Sequence, residues 1–151
     1  DNEALLDHVK HEINKEIGIK DLGEAKYFLG IEIDQQNGIK MGQRGYVLEI
    51  LKKFGMDSCN LVEIPTSPST KIEGTAEDRG KSSYNHPYKE LVGSLMYLAV
   101  CTRPDIAYTV SVLAQFNDKS SDHHWGSAKK VLRYLKGTSI IPCILMEISE
   151  N

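Results

Sequence analysis

The chain has 151 residues, 40% hydrophobic and 26% charged, which is material for one ordinary domain or two small lobes and excludes a disordered polymer. A net charge of -3 and a pI near 6.0 exclude a nucleic-acid grip by the whole surface, so any phosphate contact must come from a local patch. Three scattered cysteines (Cys59, Cys101, Cys143) exclude a disulfide framework or a zinc spacing, and no apolar run approaches the ~18 residues of a membrane span.

Leu5, Val9, Ile13 and Ile17 recur every four residues with Leu6 beside them. The spacing predicts a helix with one buried face, stopped by Gly18. Asp7, His8 and His11 lie on or near its polar side; with no further convergent ligand they read as solvated surface. Tyr27 to Asp34 reads as a strand, with Gly30 inside it as a bulge or close approach, and Asn37-Gly38 as the turn into a second strand, Ile39 to Met41. Tyr46, Val47, Ile50, Leu51 and Phe54 predict a short amphipathic helix ended by Gly55. From residue 57 to about 84, Pro65, Pro68, Gly74 and Gly80 among Ser, Thr and mixed charges read as a linker between lobes.

Tyr88 to Cys101 is the strongest helical pattern, with Leu91, Val92, Leu95, Met96 and Ala99 on one stripe. Lys89, Gly93 and Tyr97, four apart, share a second face. Gly inside a helix costs roughly 1 kcal/mol relative to Ala and offers a bare backbone for close approach. The approaching surface is either an external partner or the next helix. Pro104 ends this helix and suits the first turn of another, whose stripe is Ile106, Val110, Leu113 and Ala114, running to about Phe116. Asp105 in that first turn is accounted for by the helix dipole. Ser120, Ser121 and Asp122 are N-caps for a last helix to about Lys136, closed by Gly137. Its core stripe is Ala128, Val131, Leu132 and Leu135, with Trp125 anchoring the first turn. Lys129, Arg133 and Lys136 share another face, either a solvated stripe or a phosphate contact. Residues 142–148 are apolar and β-prone, fit to pair with a strand.

Leu91-Val92-Gly93-Ser94-Leu95-Met96-Tyr97-Leu98 followed by Thr102-Arg103-Pro104-Asp105-Ile106 resembles the reverse transcriptase of copia-type LTR retrotransposons. Asp21-Leu22-Gly23-Glu24-Ala25-Lys26-Tyr27-Phe28-Leu29-Gly30-Ile31-Glu32-Ile33 precedes it in the family's order. His124-Trp125 and Leu132-Arg133-Tyr134-Leu135-Lys136-Gly137-Thr138 follow, so the resemblance covers nearly the whole chain. From Ile140 onward the match is loose, where the family continues with a small-residue turn toward RNase H.

The resemblance implies an α+β fragment of a right-hand polymerase. Residues 1–56 would be the palm end with a primer-grip-like hairpin, 57–84 a linker, 85–138 a helical thumb, and 139–151 a tail toward a missing RNase H domain. Phe28, Leu29 and Gly30 match the primer grip; the alternative is an ordinary hairpin whose Phe28 fills a core. Lys89, Gly93 and Tyr97 match the face of the thumb helix that tracks the minor groove, with Tyr97 offering a flat ring to sugars and Lys89 reaching a phosphate. Lys129, Arg133 and Lys136 would contact phosphate.

Nucleotide polymerisation needs carboxylates converging on two Mg²⁺ ions. The Tyr-x-Asp-Asp turn that supplies them in the family is absent, so this chain is expected to hold no metal and no catalytic residue, and to be inactive alone. Its expected partners are an RNA–DNA or DNA template–primer duplex and the rest of the Pol polyprotein, with no membrane. The expected setting is intracellular and cytoplasmic, within virus-like particles. The rival readings are a domesticated stand-alone nucleic-acid or protein-binding module, which would be nuclear, and a decayed remnant.

Overall fold

The computed structural model describes residues 2–36, 38–66 and 86–146. The described residues form an α+β fold: α1 (Asn2–Ile17), β1 (Tyr27–Phe28), β2 (Ile31–Asp34), β3 (Ile39–Gly42), α2 (Arg44–Lys53), α3 (Tyr88–Cys101), α4 (Ala107–Ala114), α5 (Asp122–Gly137) and β4 (Cys143–Met146). A 3-10 turn, Pro104–Ile106, leads into α4.

The helical core follows from spacing. Leu91, Leu95 and Leu98 of α3 meet Ile106, then Val110 and Leu113 of α4, and Ala128, Val131, Leu132 and Leu135 of α5, all 0% exposed. Burying each such leucine contributes roughly 1.5–3 kcal/mol. Val47, Ile50 and Leu51 of α2 enter the same cluster. The helices on both sides of the proline-rich stretch therefore share one core. Of that stretch, Cys59 and Leu61 lie against the end of α5, where the Lys136 ammonium donates to the Cys59 carbonyl at 2.8 Å and Leu61 sits beside Gly137. The remainder of the expected linker, 67–84, lies outside the described residues.

The sheet is antiparallel throughout, in the order β1-β2-β3-β4. Residues 143–146 pair with β3 as their β-prone composition predicts. Three expectations need correction. Tyr27 to Asp34 is two strands: Phe28 pairs with Ile31, leaving Leu29 and Gly30 as a two-residue turn with φ of 49° and 78°. Gly30 is thus half of a hairpin turn, not a bulge. The β2–β3 turn contains Gly38 at φ 101°, while Asn37 lies outside the described residues. Finally, α1 ends at Gly18 as expected (φ 67°), but its apolar side is not buried: Leu5 is 63% and Ile17 76% exposed. Periodicity reports that a helix has an apolar side, not that anything covers it.

One polar cluster ties the helical ends together. Arg103, 5% exposed, donates through Nε and Nη2 to both Asp105 oxygens at 3.0 and 2.7 Å. It also donates to the Thr138 carbonyl at 3.2 Å and hydroxyl at 2.6 Å. Tyr134 of α5 donates to Asp105 at 2.8 Å, and its ring lies under the guanidinium at 5.4 Å. Asp105 stands in the first turn leading into α4, as expected, and serves chiefly as the partner of a buried cation. Partial burial alone would raise its pKa. The hydrogen bonds from Arg103 and Tyr134 outweigh that and hold the carboxyl below its ordinary value.

Asp105→Ala is expected to lower stability by about 2–3 kcal/mol, because it leaves Arg103 buried and unmatched. A urea midpoint series checks this. In the unsubstituted chain the Asp105 contribution should be complete above the unfolded carboxylate pKa, about 4, and disappear as pH falls through the lower folded value.

Candidate nucleic-acid interface

The hairpin tip and the outer face of α3 meet. The Tyr97 hydroxyl donates to the Leu29 carbonyl, and the Tyr97 ring stands edge-on to Tyr46 of α2, centroids 5.3 Å apart at 85°. Burial first, then the neighbouring Cys101 thiol, raises the Tyr97 pKa above its ordinary value, so the hydroxyl remains a donor at neutral pH. Tyr97 thus supports the turn with its hydroxyl, where the sequence offered its ring as a platform. Phe28 and Leu29 are 62% and 70% exposed. The reading in which Phe28 fills a core is set aside by that exposure.

Gly93 sits exposed in mid-α3, and a Cβ built on it would find no atom within 4 Å. Among the described residues no neighbouring helix presses against it, which overturns the explanation by packing of the helix that follows. Lys89, one turn earlier, is paired with Asp118 at 2.9 Å, and the lysine draws the Asp118 carboxyl below its ordinary pKa. Both partners are highly exposed, so the pair contributes little and Lys89 remains exchangeable for another anion. Val100, 77% exposed, lies seven residues beyond Gly93 and three beyond Tyr97, hence on the same face. Sequence reasoning missed it. The available signal was its position on the Gly93 and Tyr97 face, away from the Leu91 and Leu95 stripe.

The basic stripe of α5 is partly engaged. The Lys129 ammonium lies 5.7 Å from the Trp125 ring centre, Lys136 holds the Cys59 carbonyl, and Arg133 is exposed. Those ties run to Trp125 and to the 57–61 segment, not to the hairpin. In the first turn of α5 Trp125 packs against the core as expected, but His124 is the more deeply buried of the two. Its Nδ1 accepts the Ser121 N–H at 3.0 Å, closing the helix start, and its ring stacks on Phe116 at 4.1 Å. Trp125 is half-buried, stacked on His86 at 4.9 Å. Among the described residues no three His, Cys, Asp or Glu side chains converge as a metal site requires.

With hairpin and helix face in place, the comparisons give the class. Residues 1–68 match the family described as reverse transcriptase (RNA-dependent DNA polymerase). Over most of its length the chain is related to the Pol polyproteins of copia-type retrotransposons. It is 34% identical over 146 residues to the retrovirus-related Pol polyprotein from transposon TNT 1-94 of Nicotiana tabacum, covering 91% of this chain and 11% of that one. It is 37% identical over 136 residues to the corresponding polyprotein from transposon RE2 of Arabidopsis thaliana, covering 89% and 9%. An uncharacterized mitochondrial protein of Arabidopsis thaliana is 33% identical over 138 residues, covering 89% and 55%. The chain thus spans about a tenth of the two polyproteins. No solved structure matches it.

Gly93→Ala is expected to raise the thermal midpoint by about 2–4 °C, since it removes a helical glycine without any steric cost. A fall in the midpoint on calorimetry would show that the bare backbone is needed inside the fold.

Proposed function

We propose that this chain is a palm-end and thumb portion of a Pol polyprotein and that it holds the template–primer duplex without catalysing polymerisation. The observation that carries the reading is the joint between Tyr97 and Leu29, which sets the exposed Phe28-Leu29-Gly30 turn beside the open Gly93 face. Phe28, Leu29 and Val100 offer apolar contact to sugars. Gly93 lets a backbone approach, Lys89 at one end can exchange Asp118 for a phosphate, and contacts of this kind are independent of sequence. Lys129 and Arg133 of α5 add phosphate contacts, whereas Lys136 mainly fastens the 57–61 segment. The catalytic carboxylates and their Mg²⁺ ions would come from the remainder of the polyprotein, and the chain's partners would be that remainder and the duplex.

A second reading, a stand-alone binding module, is favoured by the mitochondrial relative, of which this chain spans 55% rather than a tenth. Under that reading the same surface would serve without an adjoining polymerase.

Gly93→Leu is expected to weaken binding to an RNA–DNA hybrid about tenfold with the thermal midpoint unchanged or raised, as read by fluorescence anisotropy beside calorimetry. Unaltered affinity would remove the α3 face from the interface. Lys129→Glu with Arg133→Glu should lower affinity across a salt series and flatten its logarithmic slope by about one to two. A slope that does not move would return the α5 stripe to ordinary solvated surface.

A further inference from the structure

Leu29 occupies a backbone position that leucine disfavours. With Phe28 paired to Ile31, Leu29 and Gly30 alone close the β1–β2 hairpin, both at positive φ. Such turns are dominated by Asn-Gly, Asp-Gly and Gly-Gly, because an L side chain in the left-handed region crowds its own carbonyl. Leu29 is the one non-glycine residue at positive φ among the described residues. Its side chain gains nothing from burial to offset this, being 70% exposed. The turn is instead held from outside: the Tyr97 hydroxyl donates to the Leu29 carbonyl, and Tyr46 braces the Tyr97 ring. A strained, exposed turn fixed by a contact from another element is a position where the strain serves function rather than packing.

We infer that Tyr97 is a positioning residue, holding Leu29 in the left-handed conformation so that an apolar side chain, rather than asparagine, stands at the hairpin tip. There Leu29, exposed next to Phe28, meets the sugar edge of the duplex. The duplex contact rests on the function proposed above; the latch between Tyr97 and Leu29 does not.

The test measures thermal midpoint and RNA–DNA hybrid affinity for Leu29→Asn, Tyr97→Phe and the double variant. Leu29→Asn should raise the midpoint by about 2–4 °C, because asparagine accepts the left-handed turn, and should weaken hybrid binding about fivefold or more. Tyr97→Phe made alone should lower both the midpoint and the affinity. Added to Leu29→Asn it should lower the midpoint much less, because the turn then holds itself. Equal midpoint losses in the two backgrounds would overturn the latch. Coupled midpoints with hybrid affinity unmoved by Leu29→Asn would overturn the contact made by Leu29. Coupled midpoints in a chain that binds no hybrid at all would sustain the latch and overturn the holding function instead.

Discussion

A guanidinium cannot be left bare in a protein interior, and the helical half of this molecule is arranged around satisfying one. Arg103 sits 5% exposed at the junction of α3 and α4 and spends its donors on Asp105 and on both oxygens of Thr138. Only a planar fork can reach a carboxylate and a helix end together, so lysine would not substitute. The consequence is positional. The α3–α4 corner is fixed against the C-terminus of α5, and Tyr134 closes the arrangement by donating to the same carboxylate. Two of the motifs by which the chain resembles its family, Thr102 to Ile106 and Leu132 to Thr138, are therefore two sides of a single polar contact.

From that fixed corner the rest of the interface is set by a short series of hydrogen bonds. Thr102 donates to the Gln43 side chain at 2.7 Å, at the start of α2. The Gly45 N–H in the first turn of α2 donates to Glu32 of β2 at 3.1 Å. Tyr97 reaches the Leu29 carbonyl at the hairpin tip. The two contacts to the sheet, from Gly45 of α2 and Tyr97 of α3, are polar, whereas the helices share an apolar core besides their polar ties. Apolar packing is dense but non-directional; hydrogen bonds fix angle and distance. The duplex-holding surface proposed above would be served by the second kind of joint, which sets its orientation.

Much of the helical layout was legible in the sequence. The bounds of α3, the stripe Leu91, Val92, Leu95 and Ala99, the core of α5 and the stop at Gly55 all follow from periodicity and end signals. The hairpin was half legible, because the aromatic and β-branched residues from Tyr27 onward read as one strand. Nothing in a period-2 pattern announces that Leu29, a residue seldom found at positive φ, would turn the chain. The exposed side of α1 was misread for a related reason: Leu5, Val9 and Ile13 show the same periodicity as buried positions, and only their neighbours in space distinguish the two.

The sequence by itself determined the family, the helices and the apolar set that packs them, because those depend on residue type and spacing along the chain. Only the tertiary structure decided which polar residues are occupied. Lys136 belongs to the Cys59 carbonyl and Asp105 to Arg103, and Gly93 faces open space rather than a neighbouring helix. It also decided that Tyr97 supports the Phe28-Leu29-Gly30 turn. The reason is physical: these two are 68 residues apart, and a hydrogen bond between a side chain and a distant carbonyl depends on where the folded backbone places both ends, which no local pattern encodes.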